Sequence, residues 1–291
     1  MDIAARIINF SLMIAMPIGL AIALARRHKT EWRLFGIGAV TFVLSQILHI
    51  PFNQWVLNPF VESMGLNLEG AWTHLVLLGL LYGLSAGVFE EVFRYIGFRF
   101  WIREERDWKS SLMVGAGHGG IESFLLGVVV LYGFIQAVTL RGTDLSTVVS
   151  ADQLELATAQ MDAYWAAPWH MAILGAVERF ATILFHISAS VLVLQAFRRK
   201  NMLWVAIAIG WHTILDAVAV IASKTWSPYI TEGIILIFGF ISLGMVFILK
   251  PNGELLELKD QPVQPDAPVI NPIEIKSVEP SEEDLENSRY A

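Results

Sequence analysis

Ionisable side chains occur at helical spacing inside four strongly apolar segments of this chain. A charged side chain at the centre of a bilayer costs about 2.5 to 3.5 kcal/mol on insertion scales, so several in one protein are expected to pair around a buried polar site. The pattern therefore predicts a functional centre inside the membrane. The residues are Glu90, Glu91 and Arg94; His118 and Glu122; Glu178, Arg179 and His186; and His212 and Asp216.

The first of these groups is a pair of acids followed by one cation. Glu90 and Glu91 precede Arg94 by four and three residues, so the guanidinium reaches either carboxylate one helical turn away. Two acids against one cation leave one carboxyl in surplus, which suits a general base better than a purely structural pair. Glu90 is the predicted base, because it shares a face with Gly83 and Gly87 and is expected to bond Arg94 in register. Glu91 is expected to tune it or to take the Arg94 pair.

Two further groups place a histidine one turn before a carboxylate. His118 and Glu122 share a face in a glycine-rich stretch, where glycines allow close backbone approach. His212 and Asp216 have the spacing at which a carboxylate holds the second nitrogen of an imidazole. Both histidines are predicted functional residues, with Glu122 and Asp216 supporting them.

The remaining group combines a charge couple with a histidine two turns later. Arg179 and His186 fall on one stripe of polar and small residues, which predicts that this stripe faces the bundle interior. Glu178 lies to the side of the stripe and is expected to pair with Arg179 as a structural couple. His186 is predicted to act with the other two histidines.

The elements that must position these residues are membrane helices. The 291-residue chain is 55% hydrophobic and 16% charged, well below the soluble average of about 25% charged. Long apolar runs without alternation predict helices and not a barrel. We therefore predict an all-α, polytopic bundle in the cell membrane. Its seven spans fall near 7–25, 34–50, 73–98, 111–139, 169–197, 202–222 and 229–249.

The distribution of lysine and arginine between the predicted loops predicts the orientation. Eleven basic residues flank the spans on one side and only Arg6, Arg141 and Lys224 lie on the other. By the positive-inside rule, the N-terminus is outside and the C-terminus is in the cytoplasm. The eleven are Arg26, Arg27, Lys29, Arg33, Arg99, Arg103, Arg106, Lys109, Arg198, Arg199 and Lys200.

Two regions outside the spans have their own character. In the loop 144–169, a capping-box pattern begins at Ser150 and apolar residues follow at helical spacing, which predicts an amphipathic interfacial helix.

The bundle, 1–250 with its core motifs at 75–220, is followed by an acidic, proline-rich segment, 251–291, predicted to be a disordered cytoplasmic tail. Because this tail carries most of the negative charge, the charge balance gives no indication of nucleic-acid binding. The chain has no cysteine, which excludes thiolate metal sites and a cysteine nucleophile.

At this point the ordered motifs resemble those of a known family. Glu-Glu-x-x-Arg at 90–94, Gly-x-Gly-His-Gly-Gly-x-Glu at 115–122, a later histidine and His-x-x-x-Asp at 212–216 look like the YhfC family of predicted intramembrane peptidases. More distantly, they resemble the PrsW and CAAX prenyl endopeptidase superfamily. The resemblance covers roughly residues 75–220.

This resemblance implies roles for particular residues. It implies that Glu90 or Glu91 activates water and that His118, His186, His212 and Asp216 surround it, while Glu122 matches a glutamate of the PrsW-like second motif. The chain departs from the CAAX pattern in one respect: Arg94 follows the acid pair by three residues, where CAAX endopeptidases have one residue more.

Together these observations predict an intramembrane endopeptidase in which a membrane-embedded glutamate activates water and neighbouring histidines bind the oxyanion. No cofactor is favoured, and the alternative is a divalent metal such as zinc held by His118, His186 and His212. The expected partner is a membrane-embedded or membrane-proximal peptide. A proton-coupled transporter or a non-catalytic membrane scaffold is the alternative of another class. An aspartyl protease is excluded, because Asp216 is the only aspartate in the predicted spans.

Overall fold

The computed structural model describes residues 2–251, and these residues form helices without any strand. The all-helical prediction is confirmed. In chain order the helices are α1 (Asp2–His28), α2 (Trp32–Phe52), α3 (Asn58–Ser63), α4 (Trp72–Ile96), α5 (Trp108–Thr139), α6 (Leu154–Ala166), α7 (Leu174–Arg198), α8 (Leu203–Thr225) and α9 (Pro228–Ile248).

Seven of the described helical segments are long and apolar enough to cross a membrane. They correspond one for one to the seven predicted spans, and the protein is a multi-pass integral membrane protein. The second span is longer than predicted, because a π-helical turn, Asn53–Leu57, joins α2 to α3. Pro59 has no N–H to donate, and the wider π-helical turn before it lets the helix continue. A similar turn, Gly97–Trp101, extends α4.

Glycines on α4 let α8 pack unusually close to it. A Cβ atom added at Gly83 would lie 2.7 Å from the Thr213 carbonyl oxygen, and one at Gly87 would lie 2.8 Å from that of Ile209. Such short distances leave no room for a larger side chain, so the small face predicted for α4 is the face that meets α8. Glu90 and Glu91, one turn further along α4, are thereby held next to His212.

The segment between α5 and α7 contains a helix where one was predicted, and its place at the membrane interface stays a prediction. α6 begins at Leu154 and not at the predicted cap, because Ser150 instead closes a turn by accepting a 3.0 Å hydrogen bond from the Gln153 N–H. Arg6 of α1 holds the far end of α6 in place: its guanidinium donates to the Tyr164 carbonyl at 2.5 Å and lies 4.1 Å from the Tyr164 ring centroid.

The predicted acidic tail, 251–291, lies outside the described residues apart from Pro251. The side of the membrane on which each end of the bundle lies stays a prediction from the charge distribution.

Candidate active site

Glu90 lies at the centre of the polar cluster inside the bundle. Only 6% of its surface is exposed. Three imidazole nitrogens from α5, α7 and α8 face its Oε2 atom: His118 Nε2 at 3.1 Å, His212 Nε2 at 3.8 Å and His186 Nδ1 at 4.0 Å. The structure thus brings the three predicted histidines together around one carboxylate oxygen.

Each imidazole is also held from its far side by an oxygen atom. Such contacts orient a histidine and determine which of its nitrogens carries the proton. The three pairs are His118 Nδ1 with Thr41 Oγ1 at 2.9 Å, His186 Nε2 with Glu122 Oε2 at 2.7 Å, and His212 Nδ1 with Glu91 Oε1 at 2.9 Å.

These far-side contacts leave unprotonated nitrogens facing Glu90. The Thr41 hydroxyl donates its hydrogen to the Gly38 carbonyl at 2.6 Å, so it accepts from His118 Nδ1 and leaves His118 Nε2 as an acceptor. The Glu91 carboxylate likewise accepts from His212 Nδ1, which leaves His212 Nε2 as an acceptor. Because these nitrogens and the Glu90 carboxylate are all acceptors, a proton or a cation is needed between them.

The second acid of the pair has a different environment. Glu91 and Arg94 are both fully buried, and the guanidinium bonds both carboxylate oxygens, with Nε to Oε2 at 2.8 Å and Nη2 to Oε1 at 3.3 Å. Arg94 Nη1 also donates to Ser190 Oγ at 2.8 Å. The expectation that Glu90 bonds Arg94 is therefore wrong: Glu91 takes the pair. Adjacent residues point about 100° apart on a helix, and Glu90 is turned toward α5 instead.

Glu122 also has partners other than the one expected. It does not bond His118 but accepts from Arg179 Nη1 at 2.6 Å and contacts His186. Arg179 Nη2 pairs with Glu178 as predicted. Gly119 makes this arrangement possible, because a Cβ there would lie 2.8 Å from the His186 ring.

Asp216 does not hold His212 by a hydrogen bond. Its Oδ2 atom lies 3.6 Å from His212 Nε2, and its side chain is 35% exposed. The predicted role of orienting His212 belongs to Glu91, which reaches it from the packed α4–α8 contact. Asp216 instead lines a polar cavity beside Glu90.

This polar cavity has a volume of about 130 Å³, enough for a few water molecules at about 30 Å³ each. Its charged and imidazole lining comes from α4, α5, α7 and α8. These residues are Glu90, Glu122, Glu178, Arg179, His186, His212 and Asp216. Water can therefore be held directly against Glu90.

Two site residues on α2 were not predicted from the sequence. Thr41 holds His118, and Gln46 donates from Nε2 to Glu90 Oε1 at 3.0 Å. The available signal was a polar stripe within an apolar span: Thr41, Ser45 and His49 follow one another at four-residue intervals and are all buried. Uncharged side chains stand out less than acids and histidines in such a span.

The donor set fits a divalent metal ion. Among the described residues, Glu90, His118 and His186 each offer one ligand atom, and these atoms lie within 4.8 Å of one another. Ligands about 2.0 to 2.1 Å from a tetrahedral zinc lie ~3.3 Å apart, close to the His118–Glu90 separation of 3.1 Å. The Arg94 guanidinium, 3.2 Å from His186 Nδ1, would have to release that nitrogen.

Comparison with known proteins gives a family match over most of the chain. The model of a family described as "YhfC intramembrane metalloprotease" matches residues 12–237, which include every site residue named above. A Bacillus subtilis (strain 168) protein, "Uncharacterized membrane protein YhfC", is 29% identical over 238 residues, covering 81% of this chain and 90% of that protein. No solved structure matches the chain.

Proposed function

The chain belongs to the YhfC family, and from that premise we propose that it is an intramembrane endopeptidase that hydrolyses peptide bonds with a water held at Glu90. The family description, an intramembrane metalloprotease, is consistent with a protease. The observation that carries the proposal is the convergence of acceptor atoms from His118, His186 and His212 on Glu90 Oε2, next to a cavity large enough for water.

Glu90 handles the proton of the attacking water. Its neighbour Glu91 is neutralised by Arg94, so Glu90 is the member of the pair whose charge is in surplus. Its carboxylate presents Oε2 to the histidines and Oε1 to Gln46, so one oxygen can accept a proton while the other is engaged. A base within hydrogen-bond reach of water typically contributes about 10² to 10⁴ in rate.

The surrounding residues position the reacting groups. Thr41 orients His118, and Glu91 orients His212, so that each presents Nε2 to Glu90. Once protonated, such a nitrogen donates to the oxyanion that forms on the scissile carbonyl. Glu122, fixed by Arg179, holds His186 Nε2, so that His186 presents its other nitrogen, Nδ1, to Glu90.

We further propose that the site holds a divalent metal such as zinc, the alternative that the sequence left open. Glu90, His118 and His186 would hold it, whereas the sequence suggested His118, His186 and His212. With metal bound, His212 would be left to donate to the oxyanion, and the Glu90 oxygen that is not a ligand would take the proton. When bound, zinc lowers the pKa of a water ligand to about 7 and polarises a carbonyl. The physical reason is that one proton bridges only one pair of acceptors, whereas a cation is shared by several. The far-side oxygens also match the way proteins hold metal-binding histidines.

The test is the purified full-length chain in lipid nanodiscs, with metal content measured by mass spectrometry and proteolysis measured on a set of fluorogenic peptides with apolar segments. We expect about one zinc per chain and a loss of cleavage with a strong chelator that added zinc restores. His118→Ala should lose both zinc and cleavage, and His74→Ala, a histidine on α4 away from the site, should keep both.

Two other outcomes would change the assignment. Full proteolysis by zinc-free protein would select the metal-free glutamate mechanism. Metal-loaded protein that cleaves no peptide would favour the transporter or scaffold alternative.

The orientation predicted by the charge distribution is part of the proposal, with the N-terminus outside and the 251–291 tail in the cytoplasm. Because the chain has no cysteine, single cysteines introduced at exposed Glu69, between α3 and α4, and after residue 105 report on opposite sides of the membrane without background labelling. Labelling from outside should occur only at the first of them.

A further inference from the structure

An apolar groove leads from the lipid-facing surface between α2 and α5 to Glu90. It has a volume of about 500 Å³. Its walls are Phe42, Val43, Ile47 and Ile50 of α2 and Leu125 and Leu126 of α5, and its polar floor is Gln46, His49, Glu90 and Glu122.

α2 and α5 pack tightly just N-terminal to the groove. A Cβ added at Gly38 would lie 2.8 Å from the His118 backbone nitrogen, and one at Gly117 would lie 2.9 Å from Phe35 Cα. A little more than two turns further along, Ile47 and Leu125 keep 58% and 44% of their surface exposed. The close approach of α2 and α5 thus lies N-terminal to the groove on both helices.

The groove and the polar cavity approach the same carboxylates with opposite chemistry. Glu90 and Glu122 line both spaces. On the polar side, half of the ten other lining residues are charged or imidazole groups, whereas on the α2–α5 side six of the eight others are aliphatic or aromatic. Glu90 thus lies where a water-holding space meets an apolar one.

We propose that the α2–α5 groove admits an apolar, membrane-embedded segment of a substrate polypeptide sideways from the lipid, while water reaches Glu90 through the polar cavity. This inference rests on the proposed peptidase function and specifies its substrate class. The groove opens within two membrane spans, so its occupant comes from the hydrocarbon region.

The size and floor of the groove favour a short stretch of polypeptide. One turn of an α-helix, 5.4 Å long and about 10 to 12 Å across, occupies roughly 400 to 600 Å³, so about four residues fit. A segment in lipid must unwind locally to present a peptide bond, and unwound backbone needs hydrogen-bond partners there. Gln46 on the floor has both a donor and an acceptor in its amide and already bonds Glu90.

The absence of native cysteine allows a direct binding test. Ile47→Cys and Leu125→Cys lie in the groove, and Val40→Cys and Val129→Cys are matched controls on the same helices, 47% and 63% exposed and outside the groove. Each variant, combined with Glu90→Gln, is placed in nanodiscs with a synthetic transmembrane peptide of leucine and alanine that carries one central cysteine, and is then oxidised. We expect at least fivefold more disulfide-linked peptide at the groove positions than at the controls. Equal yields at all four positions would overturn the proposal.

A second measurement uses the active chain. A bulky maleimide attached at Ile47→Cys should reduce cleavage of a membrane-embedded substrate at least tenfold, and the same label at Val40→Cys should change it less than twofold. Undiminished cleavage with the labelled groove would also overturn the proposal. Selective cross-linking in a chain that cleaves nothing would support the groove as a binding site and contradict the peptidase function, so the two failures are distinguishable.

Discussion

The two neighbouring glutamates of α4 lead into two different environments. On the Glu91 side, Arg94 is fully buried, bonds both carboxylate oxygens and reaches Ser190 on α7. On the Glu90 side, the acids at the rim of the polar cavity are partly exposed: 23% for Glu122, 34% for Glu178 and 35% for Asp216. The Glu91 cluster is buried and fully paired, and we call it the dry side; such a cluster stabilises the fold. The Glu90 cluster is partly exposed and has more carboxylates than cations, and we call it the wet side; such a cluster can take part in acid–base chemistry. The contrast indicates how one helix can carry a structural ion pair at Glu91 and a reactive carboxylate at Glu90.

The largest expected effect is on the dry side. Arg94→Ala leaves Glu91 as an uncompensated buried charge, and breaking a buried pair costs about 3 to 5 kcal/mol. We expect the variant to lose thermal stability and yield as well as activity, measured by thermal unfolding in detergent. Arg103→Ala, an exposed arginine beyond the same helix, is the control and should behave as the parent. If Arg94→Ala is as stable as the parent, the Glu91–Arg94 pair does not have the structural role that distinguishes it from the Glu90 cluster.

On the wet side, the largest effect should be on turnover alone. Glu90→Gln keeps size and polarity but cannot take a proton, so cleavage should fall at least ~100-fold while the unfolding temperature stays within the range of the parent protein. Glu62→Gln, at an exposed position on α3, is the matched control. Near-full cleavage by both Glu90→Gln and Glu91→Gln would contradict hydrolysis at this pair.

The orientation of His118 can be tested from α2. Thr41→Val keeps the shape of the side chain but removes the oxygen that holds His118 Nδ1. Loss of such a contact typically costs about 10- to 100-fold in metal affinity or activity, to be measured by zinc titration and by cleavage rate. Thr213→Val on α8 should leave both unchanged, because within residues 2–251 the Thr213 hydroxyl bonds the Ile209 carbonyl of its own helix and no other group. If the two variants behave alike, Thr41 does not position the histidine.

The smallest effect is expected at Asp216. Its carboxylate is partly exposed and lies beyond hydrogen-bond distance of His212, and a pair of this kind contributes about 0.2 to 1 kcal/mol. Asp216→Asn should therefore lower cleavage by no more than ~5-fold, measured as kcat/KM. A loss as large as that of Glu90→Gln would place Asp216 among the groups that contact the reacting atoms.

The sequence predicted the number and places of the spans and the helices that carry the polar residues. These predictions rest on local properties: the length of an apolar run, the cost of a charge in lipid and the 3.6-residue repeat. The helix in the 144–169 loop was found for the same reason. Its first residue was misplaced, because the Ser150 backbone carbonyl closes a turn with the Gln153 N–H where a helix cap had been expected.

Partnerships between helices were decided only by the tertiary structure. Spacing along the chain suggested that Asp216 holds His212 and that Glu122 faces His118, yet Glu91 from α4 and His186 from α7 are the partners observed. A residue one turn away is always near, but glycines at 83, 87 and 119 bring a second helix close enough to compete. Likewise Thr41 and Gln46 join the site only because α2 crosses α5 at Gly38. Sequence by itself determined which groups the membrane must bury, and helix packing determined which of them meet. The reason is that the depth of a residue in the membrane depends on its position along one helix, whereas the distance between two side chains depends on how two helices pack.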